Sequence, residues 1–156
     1  MKRIAVIRIR GSIGVKGDIK DTLAMLRLKN KNSCVIIKNS PAHVGMLRKV
    51  KDYVTWGEID EKTMFQLLKV RGKIVGSKNL SEEYLREKLK SSIEGFTKEF
   101  FEFRKELKDI PGLKLYFRLK PPTGGFERKG VKYPFSLGGV LGYRKDKINN
   151  MIIKML

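Results

Sequence analysis

The residues best suited to contact a polyanion lie in a 25-residue segment, 121–145, which we call the basic loop. It holds six glycines, three prolines, five basic residues and four aromatic residues, Phe126, Tyr133, Phe135 and Tyr143. Basic side chains pair with phosphates, aromatic rings stack on unpaired bases, and glycine permits close approach of the backbone. Structureless loops of this length are uncommon in compact domains and are usually functional or disordered.

The composition therefore predicts an RNA-binding loop. We expect phosphate contacts from Arg128, Lys129, Lys132, Arg144 and Lys145. We expect a base or sugar contact from Phe126, Tyr133 or Tyr143. Because the loop has few aliphatic residues and ordering its glycines is costly, we expect it to be mobile in the free protein.

A glycine-rich turn, GSIGVKG at 11–17, lies between a predicted strand and a predicted helix, where phosphate-binding loops occur. Its spacing matches neither GxGxxG nor GxxxxGK[ST], and no acidic residue ends the next strand to hold a ribose or Mg²⁺. The pattern therefore argues against a nucleotide site. We expect instead a tight turn whose amides and Lys16 contact an RNA phosphate.

The remaining reactive side chains indicate neither catalysis nor a metal site. His43 is the only histidine, and scattered carboxylates do not complete a metal site or a catalytic triad with it. Cys34, the only cysteine, lies in an apolar run, so that we expect it to be buried. The carboxylates of 81–109 alternate with basic residues at helical spacing, which is typical of a solvated helix face. We expect no cofactor, no small-molecule substrate and no membrane partner, and a cytoplasmic location.

Charge is distributed unevenly along the chain, which carries a net charge of +19. Residues 1–59 carry 13 basic and 4 acidic side chains, residues 60–112 carry 12 and 10, and residues 113–156 carry 10 and 2. Self-repulsion of this size is relieved by a polyanionic partner. We therefore expect two contact regions, the first including Arg8 and Arg10, on either side of a nearly neutral middle segment.

The order of the predicted strands and helices, which must position these side chains, indicates an α+β fold. Residues 4–9, 34–37 and 53–56 are predicted strands, the last of them closed by Gly57. Asp18 is the predicted cap of the first helix, and Ser40 and Pro41 begin a second that runs to about Asp52. Strand, helix, strand, helix, strand with short connections predicts a ferredoxin-like β-α-β-α-β core, with an antiparallel sheet and both helices on one face.

Residues 60–156 extend this core. Asp60 and Ser81 are predicted caps of two helices, and a third carries the apolar stripe Ile93, Phe96, Phe100, Phe103 and Leu107. Apolar and polar residues alternate over 113–120, which predicts a half-buried strand whose basic face includes Arg118 and Lys120. Asp146 is the predicted cap of a last helix. We expect one elaborated domain over 1–156, with a core (1–59), a helical extension (60–112) and a basic C-terminal segment (113–156).

Several segments resemble a known family. SPAHVGMLRKVKDYVTWGEI at 40–59 shows a helix opened by proline, a Gly-Met step, a basic Lys-Val pair and a strand. DIKDTLAMLRL near the start, and RLKPPTGGFERKG and GGVLGYRKDKINNMI near the end, fit the same pattern. Together they resemble the large-subunit ribosomal protein family numbered thirty, in its long archaeal and eukaryotic form, whose eukaryotic members bear the number seven.

The resemblance implies a ferredoxin-like core, no catalytic activity, and a place on the large ribosomal RNA near the 5S RNA, beside other large-subunit proteins. Matching motif positions imply that Arg48, Lys49 and Lys51 in the second helix are candidate RNA contacts. In the tail, the candidates are Lys120, Arg128 and Arg144.

The resulting hypothesis is a structural protein of the large subunit that stabilises ribosomal RNA. Composition alone does not distinguish this from a non-ribosomal RNA-binding module, such as an RNA chaperone or a component of a guide-RNA particle. An enzyme acting on RNA is a third alternative, although the sequence lacks an acidic cluster for Mg²⁺ and a credible general base.

Overall fold

A computed structural model describes residues 2–156, and its centre is a sheet built around strand β1 (Arg3–Arg8). Strands β2 (Ser33–Lys38) and β3 (Val54–Glu58) pair with β1 on either side, both antiparallel. Helices α1 (Gly17–Met25) and α2 (Pro41–Lys49) connect them in the order that the sequence predicts. The β-α-β-α-β core is thus confirmed.

Two short strands complete the sheet, in the order β4-β2-β1-β3-β5. Strand β4 (Phe117–Arg118) is antiparallel to β2, whereas β5 (Gly142–Tyr143) runs parallel to β3. The antiparallel prediction therefore holds for the first four strands, and the complete sheet is mixed. Strand β5 joins in parallel because it enters the sheet from the basic loop rather than from a hairpin.

Four further helices follow the core: α3 (Glu61–Arg71), α4 (Glu82–Leu89), α5 (Ile93–Phe101) and α6 (Ile148–Met155). Asp60 and Ser81 cap α3 and α4 as predicted, accepting hydrogen bonds from the backbone N–H groups of Thr63 and Tyr84. No helix in the part of the chain that the structure describes is long and apolar enough to span a membrane.

Strand β1 is buried along its whole length because helices cover both faces of the sheet. On one face Ile4 and Val6 pack with apolar residues of α1 and α2, including Leu23 and Leu47, so that both core helices share a face as predicted. On the other face, Ala5 and Ile7 belong to a larger cluster that contains residues of α3, α4, α5 and α6. This second cluster draws on all three segments of the chain.

Arg3 connects the core to the helical extension from inside the protein. Its guanidinium donates hydrogen bonds of 3.2 and 2.8 Å to the Phe100 carbonyl, lies 3.9 Å from the centroid of the Phe100 ring, and pairs with Glu106 at 2.9 Å. Arg3 is 2% exposed, and its buried charge is therefore compensated within the chain.

Two predicted helix caps are wrong. Helix α1 is preceded by Lys16 in extended conformation, and the Asp18 carboxylate lies within the first turn, where it accepts only from the N–H of Ile19. Helix α6 begins after Lys147, at the end of a short 3-10 turn, so that Asp146 lies too early to cap it.

Three other boundaries differ from the prediction. Helix α2 ends at Lys49 rather than near Asp52. Gly57 lies inside β3 rather than at its end. A Cβ at this position would overlap the carbonyl oxygen of Lys145, so that the glycine permits a close approach of two backbone segments. The apolar stripe of α5 breaks at Phe103, whose φ of 61° ends the helix and turns its ring towards Arg3, 4.1 Å away.

The alternating segment 113–120 forms a strand only at Phe117 and Arg118. Its inward and outward pattern is retained, since Leu113, Phe117 and Leu119 are buried while Arg118 is exposed. Earlier in the segment the Lys114 N–H donates to the carbonyl of Lys73 in the α3–α4 connection, not to β2, so that the ladder stays short.

Candidate nucleic-acid interface

The strand register brings several predicted RNA-binding cations to one end of the sheet. The chain leaves β1 beside the start of β3, where the N–H groups of Ile9 and Arg10 both donate to the Tyr53 carbonyl. The Arg10 guanidinium lies over the Tyr53 ring at 5.3 Å, which leaves it half-buried at the rim of this end. Arg10 therefore lies next to the loop that joins α2 to β3.

Helices α1 and α2 bring their cations to the same end. The Lys49 Nζ lies 3.8 Å from a carboxylate oxygen of Asp18, which joins the end of α2 to the start of α1. Lys16, Arg48 and Lys51 are exposed around this contact. Lys16 precedes α1 without a side-chain cap, and in the first turn the Ile19 N–H donates to the Asp18 carboxylate. The start of a helix favours anions, since its dipole places partial positive charge there.

Strand β4 adds the cations of the C-terminal segment. Arg118 pairs in register with Ser33, and the N–H of Leu119 donates to the Asn32 carbonyl, while the N–H of Asn32 donates to the Arg8 carbonyl. Arg118 and Lys120 are therefore held beside the end of β1, and both are exposed. We call the set Arg10, Lys16, Arg48, Lys49, Lys51, Arg118 and Lys120 the cationic end.

Sequence reasoning missed two members of this surface. Lys29 and Lys31 are exposed in the α1–β2 connection, and the Lys29 carbonyl accepts a hydrogen bond of 2.8 Å from Arg8. The polar run between the predicted helix and strand was their only signal, because a lysine in a connection carries no pattern of its own.

Arg8 has an internal role. It is 3% exposed, and its guanidinium donates to the carbonyls of Arg10, Leu28 and Lys29 at 2.7–2.9 Å and to the Ser12 hydroxyl at 3.0 Å. Burial lowers the pKa of the Arg8 guanidinium from its ordinary value, and the nearby Tyr53 opposes that shift. Since every nitrogen of Arg8 already has a partner in the chain, we withdraw it from the phosphate-binding set.

The basic loop is not structureless. It contains 3-10 turns at Gly130–Lys132 and Phe135–Leu137 and ends in β5. Val140 and Leu141 are buried in the larger core cluster, and the N–H groups of both donate to the Tyr133 carbonyl. The expectation that the loop has no packing of its own is therefore wrong: two buried aliphatic residues and a network of backbone hydrogen bonds hold it against the rest of the protein.

Arg144 is the centre of that packing rather than a surface cation. It is 3% exposed, lies 4.7 Å from the centroid of the Phe135 ring, and donates to the Thr55 hydroxyl, the Val140 carbonyl and the Glu127 carboxylate at 2.8, 2.7 and 2.6 Å. These contacts fasten the loop to β3, so that we also withdraw Arg144 from the phosphate-binding set.

The other predicted loop residues remain at the surface. Arg128, Lys129, Lys132 and Lys145 are exposed, and so is Tyr133. Tyr143 is half-exposed, with its ring 6.3 Å from that of Trp56. A hydrogen bond from the Tyr143 hydroxyl to Glu58, together with burial, raises the pKa of Tyr143 to about 12. We call Arg128, Lys129, Lys132, Tyr133, Tyr143 and Lys145 the loop patch.

His43 and Cys34 have local structural roles. The His43 ring nitrogen Nδ1 lies 2.9 Å from the hydroxyl of Ser40, the residue that caps α2. Cys34 is fully buried, which raises the pKa of its thiol to about 12 and leaves it without nucleophilic character at neutral pH. Within residues 2–156, histidine, cysteine and carboxylate side chains do not gather into a group of three that would hold a metal ion.

Comparison with known proteins agrees with the resemblance noted in the sequence. The family model described as "Ribosomal protein L30p/L7e" matches residues 4–54. The large ribosomal subunit protein uL30 of Methanopyrus kandleri is 48% identical over 149 residues, covering 95% of this chain and all of that protein. Those of Methanococcus maripaludis and Nanoarchaeum equitans are 49% and 46% identical, over 97% and 100% of this chain and 98% and 100% of their own lengths. With nearly half of its residues identical over almost its entire length, this chain belongs to the ribosomal protein L30p/L7e family.

Proposed function

We propose that this protein is a structural constituent of the large ribosomal subunit, and that it binds and stabilises ribosomal RNA in the cytoplasm. The observation that carries the proposal is the cationic end, where residues from separate segments of the chain converge on one surface. Convergent cations of this kind suit a folded RNA, in which phosphates of several strands lie close together. The loop patch supplies a second contact, with two tyrosines available to bases or sugars.

The balanced middle segment has a different role. Its carboxylates pair within the chain, Glu99 with Lys105 at 2.6 Å and Glu102 with Arg104 at 3.2 Å. With 12 basic and 10 acidic side chains, this segment carries only a small excess of positive charge. We assign it to solvent and to neighbouring proteins of the subunit rather than to RNA. A position near the 5S RNA, which the family resemblance implies, is part of the same proposal.

We further propose that the protein has no catalytic activity, because its histidine and its thiol are both engaged in local structure. Incubation of the protein with ribosomal RNA, with and without Mg²⁺, should leave the RNA uncleaved and unmodified. Appearance of a defined cleavage product would contradict this part of the proposal.

Sedimentation tests the main proposal. A tagged copy expressed in Methanococcus maripaludis should comigrate with large subunits in a sucrose gradient and remain there at moderate salt. A variant with Lys49→Glu and Lys51→Glu should move to the light fractions. A wild-type protein found only in light fractions, bound to small RNAs, would instead indicate a non-ribosomal RNA-binding role.

A further inference from the structure

An isoleucine stands fully in solvent at the cationic end. Ile13 is 102% exposed, more than any other large apolar residue in the described part of the chain. Single exposed apolar residues are common on protein surfaces and carry little meaning alone. What sets Ile13 apart is the way in which the structure holds it and the charges that surround it.

The loop that carries Ile13 is fastened at both ends. On one side the Arg10 N–H donates to the Tyr53 carbonyl, and on the other Val15 is buried. Between them the buried Arg8 guanidinium donates a hydrogen bond of 3.0 Å to the hydroxyl of Ser12, the residue directly before Ile13. Gly14 then turns the chain with a φ of +70°. Residues 11–14 are exposed between these two anchors, and within them Ser12 is held through its side chain.

The surroundings of Ile13 indicate what covers it. Arg10 lies three residues before Ile13 and Lys16 three residues after it. Tyr53, whose carbonyl anchors the loop, lies four residues after Lys49 and two after Lys51. A partner protein that buried Ile13 would have to bury or neutralise these cations as well. RNA supplies phosphates for the cations and flat apolar base faces for the isoleucine, and apolar side chains are known to wedge between base steps of nucleic acids.

We propose that Ile13 is an apolar wedge that packs against base faces of the RNA. This inference rests on the proposed RNA-binding function and adds to it a contact that carries no charge. Phosphate contacts fix the orientation of the protein on the RNA but do not distinguish one base arrangement from another. An apolar contact at this end would therefore favour RNA with an accessible base over a regular duplex.

The binding of RNA extracted from Methanococcus maripaludis large subunits tests the proposal. Ile13→Ala should weaken binding about tenfold or more, while the dependence of affinity on salt stays unchanged because no phosphate contact is lost. Ile13→Leu should restore most of the affinity. Val75→Ala, which trims an exposed residue outside both cationic surfaces, is the matched control and should bind like the wild type. Circular dichroism and thermal unfolding of each variant establish that the fold is intact.

Two results would overturn the wedge without affecting the proposed function. The first is wild-type affinity of Ile13→Ala in a protein whose Lys49→Glu, Lys51→Glu variant binds weakly. The second is wild-type RNA affinity of Ile13→Ala together with poor incorporation into subunits, which would assign Ile13 to a protein contact. If the lysine variant also bound RNA like the wild type, the cationic end itself, and with it the proposed function, would fail.

Discussion

The guanidinium of Arg144 donates a hydrogen bond of 2.8 Å to the hydroxyl of Thr55, across 89 positions of sequence, and so ties the basic loop to the central sheet. The same guanidinium pairs with Glu127 and caps the Val140 carbonyl within the loop. Composition predicts that Arg144 contacts RNA, whereas the structure shows that it holds the loop against the sheet.

Replacing this arginine tests its structural role. Arg144→Met leaves the partly buried Glu127 without a counter-ion and should lower the free energy of unfolding by roughly 3–5 kcal/mol. The amide of Val140 should then exchange hydrogen faster than in the wild type, where we expect it to be protected without RNA. Arg128→Met, with the same charge change at an exposed site, should alter stability by no more than about 0.5 kcal/mol and weaken RNA binding instead. An Arg144→Met protein of wild-type stability and reduced affinity would return Arg144 to the phosphate-binding set.

Phe100 joins the core and the helical extension, since its ring is buried in the cluster shared by all three segments and lies against Arg3. Phe100→Ala should lower the free energy of unfolding by roughly 3–5 kcal/mol. Because the segments share one core, urea unfolding should remain a single cooperative transition in both proteins, whether it is followed by circular dichroism or by Trp56 fluorescence. Val75→Ala is the control and should change stability little. Two separate transitions would mean that 60–112 folds independently of the core.

Glu106 should make stability depend on pH. Burial alone would raise the pKa of its carboxyl, but hydrogen bonds and charge interactions with Arg3 and Lys38 outweigh burial and hold the pKa below its ordinary value. A carboxyl whose pKa is lowered by folding stabilises the protein above the unfolded-state value of about 4.3, and that stabilisation is lost as pH falls further. Glu106→Gln should therefore be less stable than the wild type at pH 7, with a difference that shrinks below about pH 4.3. A difference independent of pH would show that the ion pairs contribute nothing.

Charge reversal on the carboxylate-rich helix face should not weaken RNA binding. Glu87 and Glu102 are exposed and lie in the balanced segment 60–112. The double variant Glu87→Lys, Glu102→Lys should bind extracted large-subunit RNA as tightly as the wild type or slightly more tightly, because it adds positive charge away from the contacts. Filter binding at fixed salt measures this. A folded variant with clearly weaker binding would make this face part of the interface.

The sequence predicted the core well because its signals are local. The β-branched run of β1 and the Ser40-Pro41 helix start have one simple reading each, and both are confirmed. The prediction that Gly57 ends a strand is wrong because the need for glycine there comes from the Lys145 backbone, 88 residues away in sequence. The long-range contact, rather than the local pattern, required the glycine.

The candidate site was predicted less completely for the same reason. Composition identified the basic segments but did not separate the inward Arg8 and Arg144 from the outward Arg118 and Lys129, since all four look alike in sequence. The exposed Ile13 carried no signal at all, because a lone apolar residue in a glycine-rich turn is equally compatible with burial. Only the register of the strands shows which side chains share the cationic end.

The dependence of RNA affinity on salt tests the central claim most directly. If about six to ten cations of the cationic end and the loop patch contact phosphate, the logarithm of the association constant should fall against the logarithm of salt concentration with a slope of about −5 to −9. Affinity for extracted large-subunit RNA should then drop by about 10³–10⁵ between 50 and 200 mM salt. Lys49→Ala and Lys129→Ala should each reduce the slope by about one, and Val75→Ala should not. A flat dependence on salt in the wild type would contradict the account, because cations that bind phosphate must release counterions.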